Sequence, residues 1–178
     1  MSAQFNTWRF MMLCGLVLLA AMPSRAQTCV SRMQPSNPSA VYTFNAANNT
    51  VTDTRTGLVW DRCVLGLSGG GCATGSAQTF TWDAALAAAA TANSAAFKGH
   101  TDWRVPNIKE LLSLVEHCRF SPAINELVFP GTTNLKIWSA SPINLATSSA
   151  WTVDFSDGSG SDYDRGNALS VRLVRAGQ

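Results

Sequence analysis

The stretch Gly99–Cys118, GHTDWRVPNIKELLSLVEHC, constrains this chain more than any other. Asp102–Val105 reads as a short extended segment, and Pro106 biases the residue before it away from helix. Asn107 suits an N-cap, with Glu110 three residues on, where a capping-box carboxylate reaches back to the N-cap N–H. Ile108, Leu111, Leu112 and Val115 then fall at i, i+3, i+4 and i+7, one apolar stripe of an amphipathic helix. Arg104 stands where it can pair with Glu110 as a structural ion pair. Cys118 follows, so the far end of this segment can be tied covalently to a distant part of the chain.

Residues 1–26 read as an export leader. Arg9 supplies the positive start, Phe10 to Met22 an apolar run, and Ser24-Arg25-Ala26 the small residues a signal peptidase cuts behind. The run is shorter than the roughly 20 apolar residues of a membrane span. The expected product is secreted or periplasmic, cut after Ala26, with no membrane span once the leader is removed. Residues 27–40, polar and holding Pro35 and Pro38, form a lead-in, and 41–178 form one domain. Arg9 and Arg25 account for the formal net charge of +2. The remainder is balanced, which gives no support to a nucleic-acid partner.

The cysteines agree with export. Cys14 falls in the leader, leaving Cys29, Cys63, Cys72 and Cys118, an even set that suggests two disulfides among three connectivities. Cys63 and Cys72 bracket a glycine-rich loop and are the natural short pair, and Cys29–Cys118 then follows. A zinc site from Cys63, Cys72, His117 and Cys118 is set aside: there is no C-x-x-C pair, and His117 and Cys118 are adjacent and diverge on a helix. No metal or other cofactor is expected.

Val41–Asn45 and Thr50–Asp53 read as strands around an asparagine-rich turn, and Leu58–Trp60 as a third strand. Cys63–Gly75 is too rich in glycine for regular structure. It contains a G-x-S-x-G match around Ser68, set aside because that nucleophile needs a strand before it and a helix after it. Thr81 caps an alanine-rich helix over Trp82–Ala92. Ser121–Gly131 reads as a long loop with a helical turn at Ala123–Leu127, and Lys136–Ala140 as a strand. Ala150–Ser156 alternates Trp151, Val153 and Phe155 on one face, and Ala168–Val174 aligns Leu169, Val171 and Leu173. Trp60, Trp82, Trp103 and Trp151 are expected in the core. His100 and His117, with no serine or reduced cysteine plausibly paired to them, read as structural.

One segment carries the candidate ligand residues. Asp154, Asp157, Asp162, Asp164 and Arg165 surround a Gly/Ser stretch with Tyr163. Close carboxylates can hold calcium, and Trp138 or Tyr163 could stack on a sugar. The competing reading is a solvated hairpin loop whose Asp and Gly residues serve turn geometry; no full calcium-loop pattern is met.

Taken together, several motifs resemble one family: Asp53-x-x-Thr56-Gly57-Leu58-x-Trp60; Arg62-Cys63 to Cys72; Thr81-Trp82-x-x-Ala85-Leu86; Gly99-His100-x-Asp102-Trp103-Arg104-x-Pro106-Asn107-x-Lys109-Glu110-Leu111; Trp138-Ser139-x-Ser141-Pro142; Trp151-x-Val153-Asp154-Phe155; and Val171–Arg175. This is the Lcl C-terminal domain family, named after a collagen-like adhesin, and the resemblance runs from about Val41 to Arg175. It implies a C-type-lectin-like α+β fold, similar to the formylglycine-generating-enzyme class: two helices packed on a small, twisted, mostly antiparallel sheet with long loops. The adhesin domain is a trimer that binds glycosaminoglycans. This chain has no collagen-like repeat, and its charge after the leader is balanced. No cysteine follows Cys118, so the late catalytic cysteine pair of the formylglycine-generating enzymes has no counterpart.

The expected function is that of an exported, non-enzymatic, adhesin-like recognition module for carbohydrate or a cell-surface protein, with homo-oligomerisation an open option. The alternatives are an envelope assembly domain without a small ligand and an enzyme of unknown type.

Overall fold

A computed structural model describes residues 29–177; the expected leader and its cleavage position lie outside them. Strands β1 (Tyr42–Asn45) and β2 (Thr50–Asp53) form a hairpin in which Asn45 Oδ1 accepts from the Ala47 N–H at 3.1 Å and Thr50 Oγ1 donates to Asn48 Oδ1 at 2.7 Å. Asn49 sits in the left-handed region, which asparagine tolerates. Strand β3 (Leu58–Asp61) follows. The Cys63–Gly75 loop holds a two-residue ribbon, β4 (Leu67–Ser68) against β5 (Thr74–Gly75), inside and beside the Cys63–Cys72 ring. Next come β6 (Thr79–Phe80), α1 (Trp82–Ser94), α2 (Ile108–Leu112), β7 (Lys136–Pro142), β8 (Ser149–Asp154), β9 (Ser159–Asp164), β10 (Leu169–Ser170) and β11 (Val174–Ala176).

The fold is α+β as expected, but the strands make two principal sheets. One runs β1-β2-β3-β11 and the other β6-β10-β7-β8-β9. All their pairings are antiparallel except β10 with β7. The single strand expected over Ala168–Val174 is therefore split, β10 lying in one sheet and β11 in the other. Between them Val171 O accepts from the Leu65 N–H at 2.8 Å and Leu173 O from the Asp61 N–H at 3.0 Å. Apolar alternation would send Arg172 to solvent, but the crossing buries it completely. Its Nη1 donates to the main-chain oxygens of Asp61 and Arg62, and its Nη2 to Thr132 Oγ1 at 2.6 Å. The guanidinium lies 4.9 Å from the Phe129 ring centroid.

Helix α1 begins where Thr81 Oγ1 accepts from the Ala84 N–H. It buries Trp82, Ala85 and Ala89 in a cluster with Trp103, Trp138, Ala150, Val171 and Leu173. Small side chains allow this close approach, and Trp82 Nε1 donates to Ser139 O at 2.8 Å.

Helix α2 carries the expected capping box, with the Glu110 N–H donating to Asn107 Oδ1 at 2.9 Å and the Asn107 N–H to Glu110 Oε2 at 2.8 Å. Arg104 grips the same carboxylate with two bonds of 2.7 Å. Burial opposes ionisation of Glu110, but the Arg104 and Asn107 donors outweigh it and hold the carboxyl below its ordinary range. The helix is shorter than the stripe, ending at Leu112 because Leu114 and Val115 close tighter i→i+3 turns and Val115 then bridges to Ile124. Leu111 and Val115 reach the core, whereas Leu112 is exposed. Substituting Asn107→Ala should cost about 1 kcal/mol and lower the unfolding temperature by about 3 °C, measurable by calorimetry. An unchanged midpoint would show that the cap adds nothing.

The 121–131 segment is core rather than surface loop. Ala123, Ile124, Asn125, Val128 and Phe129 are buried, and the turn falls at 126–128, not at Ala123–Leu127. Both expected disulfides form. The lead-in is held by more than Cys29. Buried Glu116 accepts from the Ser36 N–H at 2.7 Å, the Ser36 hydroxyl at 2.8 Å and the Asn37 N–H at 2.8 Å, while Asn37 Nδ2 donates to Val115 O at 2.6 Å. Among the described residues no helix is long and apolar enough to cross a membrane.

Candidate recognition surface

The candidate residues fall on the β8–β9 hairpin and its flanks. The stretch expected as a loop is a strand: β9 pairs with β8 in continuous register from Ser149↔Asp164 to Asp154↔Ser159. The hairpin turn is built by its own side chains. Asp154 Oδ1 accepts from the Ser156 N–H at 2.9 Å and the Ser156 hydroxyl at 2.6 Å, and Asp157 Oδ1 from the Ser159 N–H at 2.8 Å. Gly158 has φ +82°, and a Cβ there would come within 2.5 Å of Val115 Cγ1, so both conformation and space demand glycine. After the strand, Asp164 Oδ1 accepts from the Gly166 N–H at 2.8 Å.

Three of the four carboxylates thus serve local turns rather than converging on a cation. Asp154 also meets Lys136 Nζ at 3.5 Å. Burial opposes ionisation of Asp154, but the Ser156 donors and Lys136 prevail and keep it below its usual range. Asp157 is likewise lowered by its bonds from Ser159. Among the described residues, the one trio of potential metal ligands in close range is Cys29, Glu116 and Cys118, and both of its sulfurs are in the disulfide.

Strand parity divides the rest between two faces. Lys136, Trp138, Ala150, Thr152, Ser161 and Tyr163 share the face toward α1; Ile137, Trp151, Val153, Gly160, Asp162 and Asp164 share the other. Trp138 is fully buried, its Nε1 donating to Phe80 O at 2.8 Å, so it has no ring face for a sugar. This corrects its assignment as a stacking platform: β7 lies inside the sheet, where both faces are covered. Tyr163 is partly exposed, edge-on to Trp138 at 6.4 Å and beneath Lys136 Nζ at 4.7 Å. Arg165 lies over the Trp82 ring at 4.2 Å and donates to Ser149 O at 3.1 Å, which makes it a brace between α1 and β8. The structure therefore does not gather the expected residues into one site.

It places another residue on the surface instead. Trp60, Trp82 and Trp103 are buried, but Trp151 is 36% exposed. Its neighbours in register, Val153 and Phe155, share a buried cluster with Leu111 and Val115, whereas Trp151 lies one step further along β8, where the β7 pairing shifts between Trp138 and Pro142. Asp162 stands directly across from it on β9. Leu112, 37% exposed, covers Gly160 on the same face, its methyl 3.5 Å from where a Cβ would stand. An exposed indole, an exposed leucine and a carboxylate thus share one sheet face. Alternation in the sequence gives the parity of Trp151 but not how far the cover over that face extends.

The histidines are built into other contacts or face solvent. His100 packs edge-on to Trp103 at 6.3 Å with its Nε2 3.2 Å from Arg175 Nη2, and His117 is exposed. Elsewhere, an open groove of about 470 Å³ runs along α1, lined by Leu65, Phe80, Ala84, Ala88 and Phe97.

The fold defines a two-sheet α+β domain braced by two disulfides, with Trp151 and Tyr163 partly exposed on the outer strands of the larger sheet. The sequence matches the Lcl C-terminal domain family over residues 49–175, and the chain belongs to that family. No curated protein matches it.

Proposed function

We propose that this protein is an exported, non-enzymatic recognition module that binds carbohydrate through the sheet face carrying Trp151. The observation that carries the reading is the exposed Trp151 directly across from Asp162, on the sheet face where Leu112 covers Gly160. A sugar ring offers an apolar face to an indole and hydroxyls to a carboxylate, and binding sites combine apolar walls with a few placed polar groups. Two disulfides favour an oxidising compartment, secreted or periplasmic. The C-type-lectin-like relationship suggested by the family resemblance belongs to the same proposal. The non-enzymatic reading is supported by the engagement of Asp154, Asp157 and Asp164 in turns and of His100 in packing.

The test is a glycan array on the purified protein, with and without calcium. A bound glycan should lose about 30-fold in affinity on Trp151→Ala, as for a hot spot worth about 2 kcal/mol. The unfolding temperature of that variant should move little, since the ring is partly exposed. A flat array would sink this reading and favour an assembly domain of the envelope.

A further inference from the structure

We propose that the outer edge of β9 accepts an extended peptide segment with basic residues at alternate positions, added to the larger sheet as a further strand. β9 is the terminal strand of the order β6-β10-β7-β8-β9 and runs six residues. The other terminal strands are shorter: two residues for β6, three for β11 and four for β1. The β8–β9 register has no bulge, and β9 contains no proline. Ser159, Gly160, Asp162, Tyr163 and Asp164 are exposed and Ser161 half-buried. In an antiparallel edge strand, alternate residues turn N–H and C=O away from the neighbouring strand. Such an edge is a template for strand addition unless it is guarded.

The guard here is of one sign. Asp162 and Asp164 lie two apart on one face, and Asp157 sits at the turn. Among the described residues none of the three is in an ion pair. A second copy of β9 laid alongside would bring like charges together, which is unfavourable. A strand with lysine or arginine at i and i+2 would set its cations beside Asp162 and Asp164, about 7 Å apart along the strand. The residue between them would meet Tyr163, whose ring is 37% exposed. The edge thus selects a basic–apolar–basic extended segment.

The test uses the folded protein with a blocked peptide, Thr-Lys-Val-Lys-Val-Thr, and its counterpart with glutamate for lysine. The lysine peptide should slow hydrogen exchange at alternate amides of residues 159–164, with affinity falling as salt rises. The D162K/D164K variant, checked for an unchanged unfolding temperature, should bind it about 10-fold more weakly and gain binding of the glutamate peptide. No protection of β9 by the lysine peptide at about 1 mM, a millimolar Kd being the weakest useful affinity, would overturn the proposal. So would equal protection by both peptides, or unchanged binding by D162K/D164K. No glycan enters the readout, so this result stands apart from that of the carbohydrate reading.

Discussion

Arg172→Ala should destabilise the protein by about 4 kcal/mol, among the largest single-residue effects expected, and lower its unfolding temperature by about 10 °C. The side chain is fully buried, and three acceptors depend on it: the main-chain oxygens of Asp61 and Arg62 and the hydroxyl of Thr132. Truncation leaves these groups buried without a donor, at roughly 1–3 kcal/mol each, and opens a cavity beside Phe129. Part of that loss is offset, because burial is itself costly to the cation and pushes its pKa down to about 10. Arg172→Met keeps most of the volume and removes the charge but still leaves the acceptors unmet, so its cost should be near half, about 2 kcal/mol. Denaturant titration of both variants measures this. A loss under about 1 kcal/mol for the alanine variant would mean that water replaces the guanidinium and that the sheet crossing does not depend on it.

Glu116→Ala should release the lead-in from the domain and cost about 3 kcal/mol. The N–H groups of Ser36 and Asn37 and the hydroxyl of Ser36 converge on this one carboxylate. Hydrogen exchange over residues 29–40 should rise sharply while Cys29–Cys118 still tethers the segment. The same contacts set an acid dependence. Burial opposes ionisation, but the Asn37, Ser36 and Cys118 donors outweigh it and hold the carboxyl below its ordinary range. The native state therefore binds fewer protons than the unfolded chain around the unfolded carboxyl value of about 4.3. The stabilisation is complete above that value and is lost as pH falls through the native one. Glu116→Gln should be less stable at neutral pH and lose less than the wild type on going from pH 5 to 3. Parallel pH profiles for the two would leave no role for Glu116 in acid unfolding.

Much of the local structure was legible because it depends on neighbours in the chain. The capping box at Asn107 and Glu110, the Arg104 grip on Glu110, the Thr81 cap and the β1–β2 hairpin each use residues a few positions apart. So do the Asx-type turns at Asp157 and Asp164. The short Cys63–Cys72 pair followed from spacing, and Cys29–Cys118 followed by elimination. The family could be read from motifs that fix these local features.

What only the tertiary structure decided concerns which surfaces cover which. Apolar periodicity in 168–174 is the same for one strand as for two strands of different sheets; the hand-over and the burial of Arg172 depend on Asp61, Arg62 and Thr132, far away in sequence. Trp138 is buried and Trp151 partly exposed, the reverse of expectation, for the same reason. A strand's alternation states which face a side chain takes, whereas its exposure depends on where a packing neighbour ends. The segment Gly99–Cys118 shows both limits at once. Its capped start is written in adjacent residues, but its helix stops at Leu112 because Val115 faces Ile124 in a bridge, with the Glu116 N–H donating to Ala123 O, and the Glu116 carboxylate holds the lead-in, contacts that local sequence does not encode.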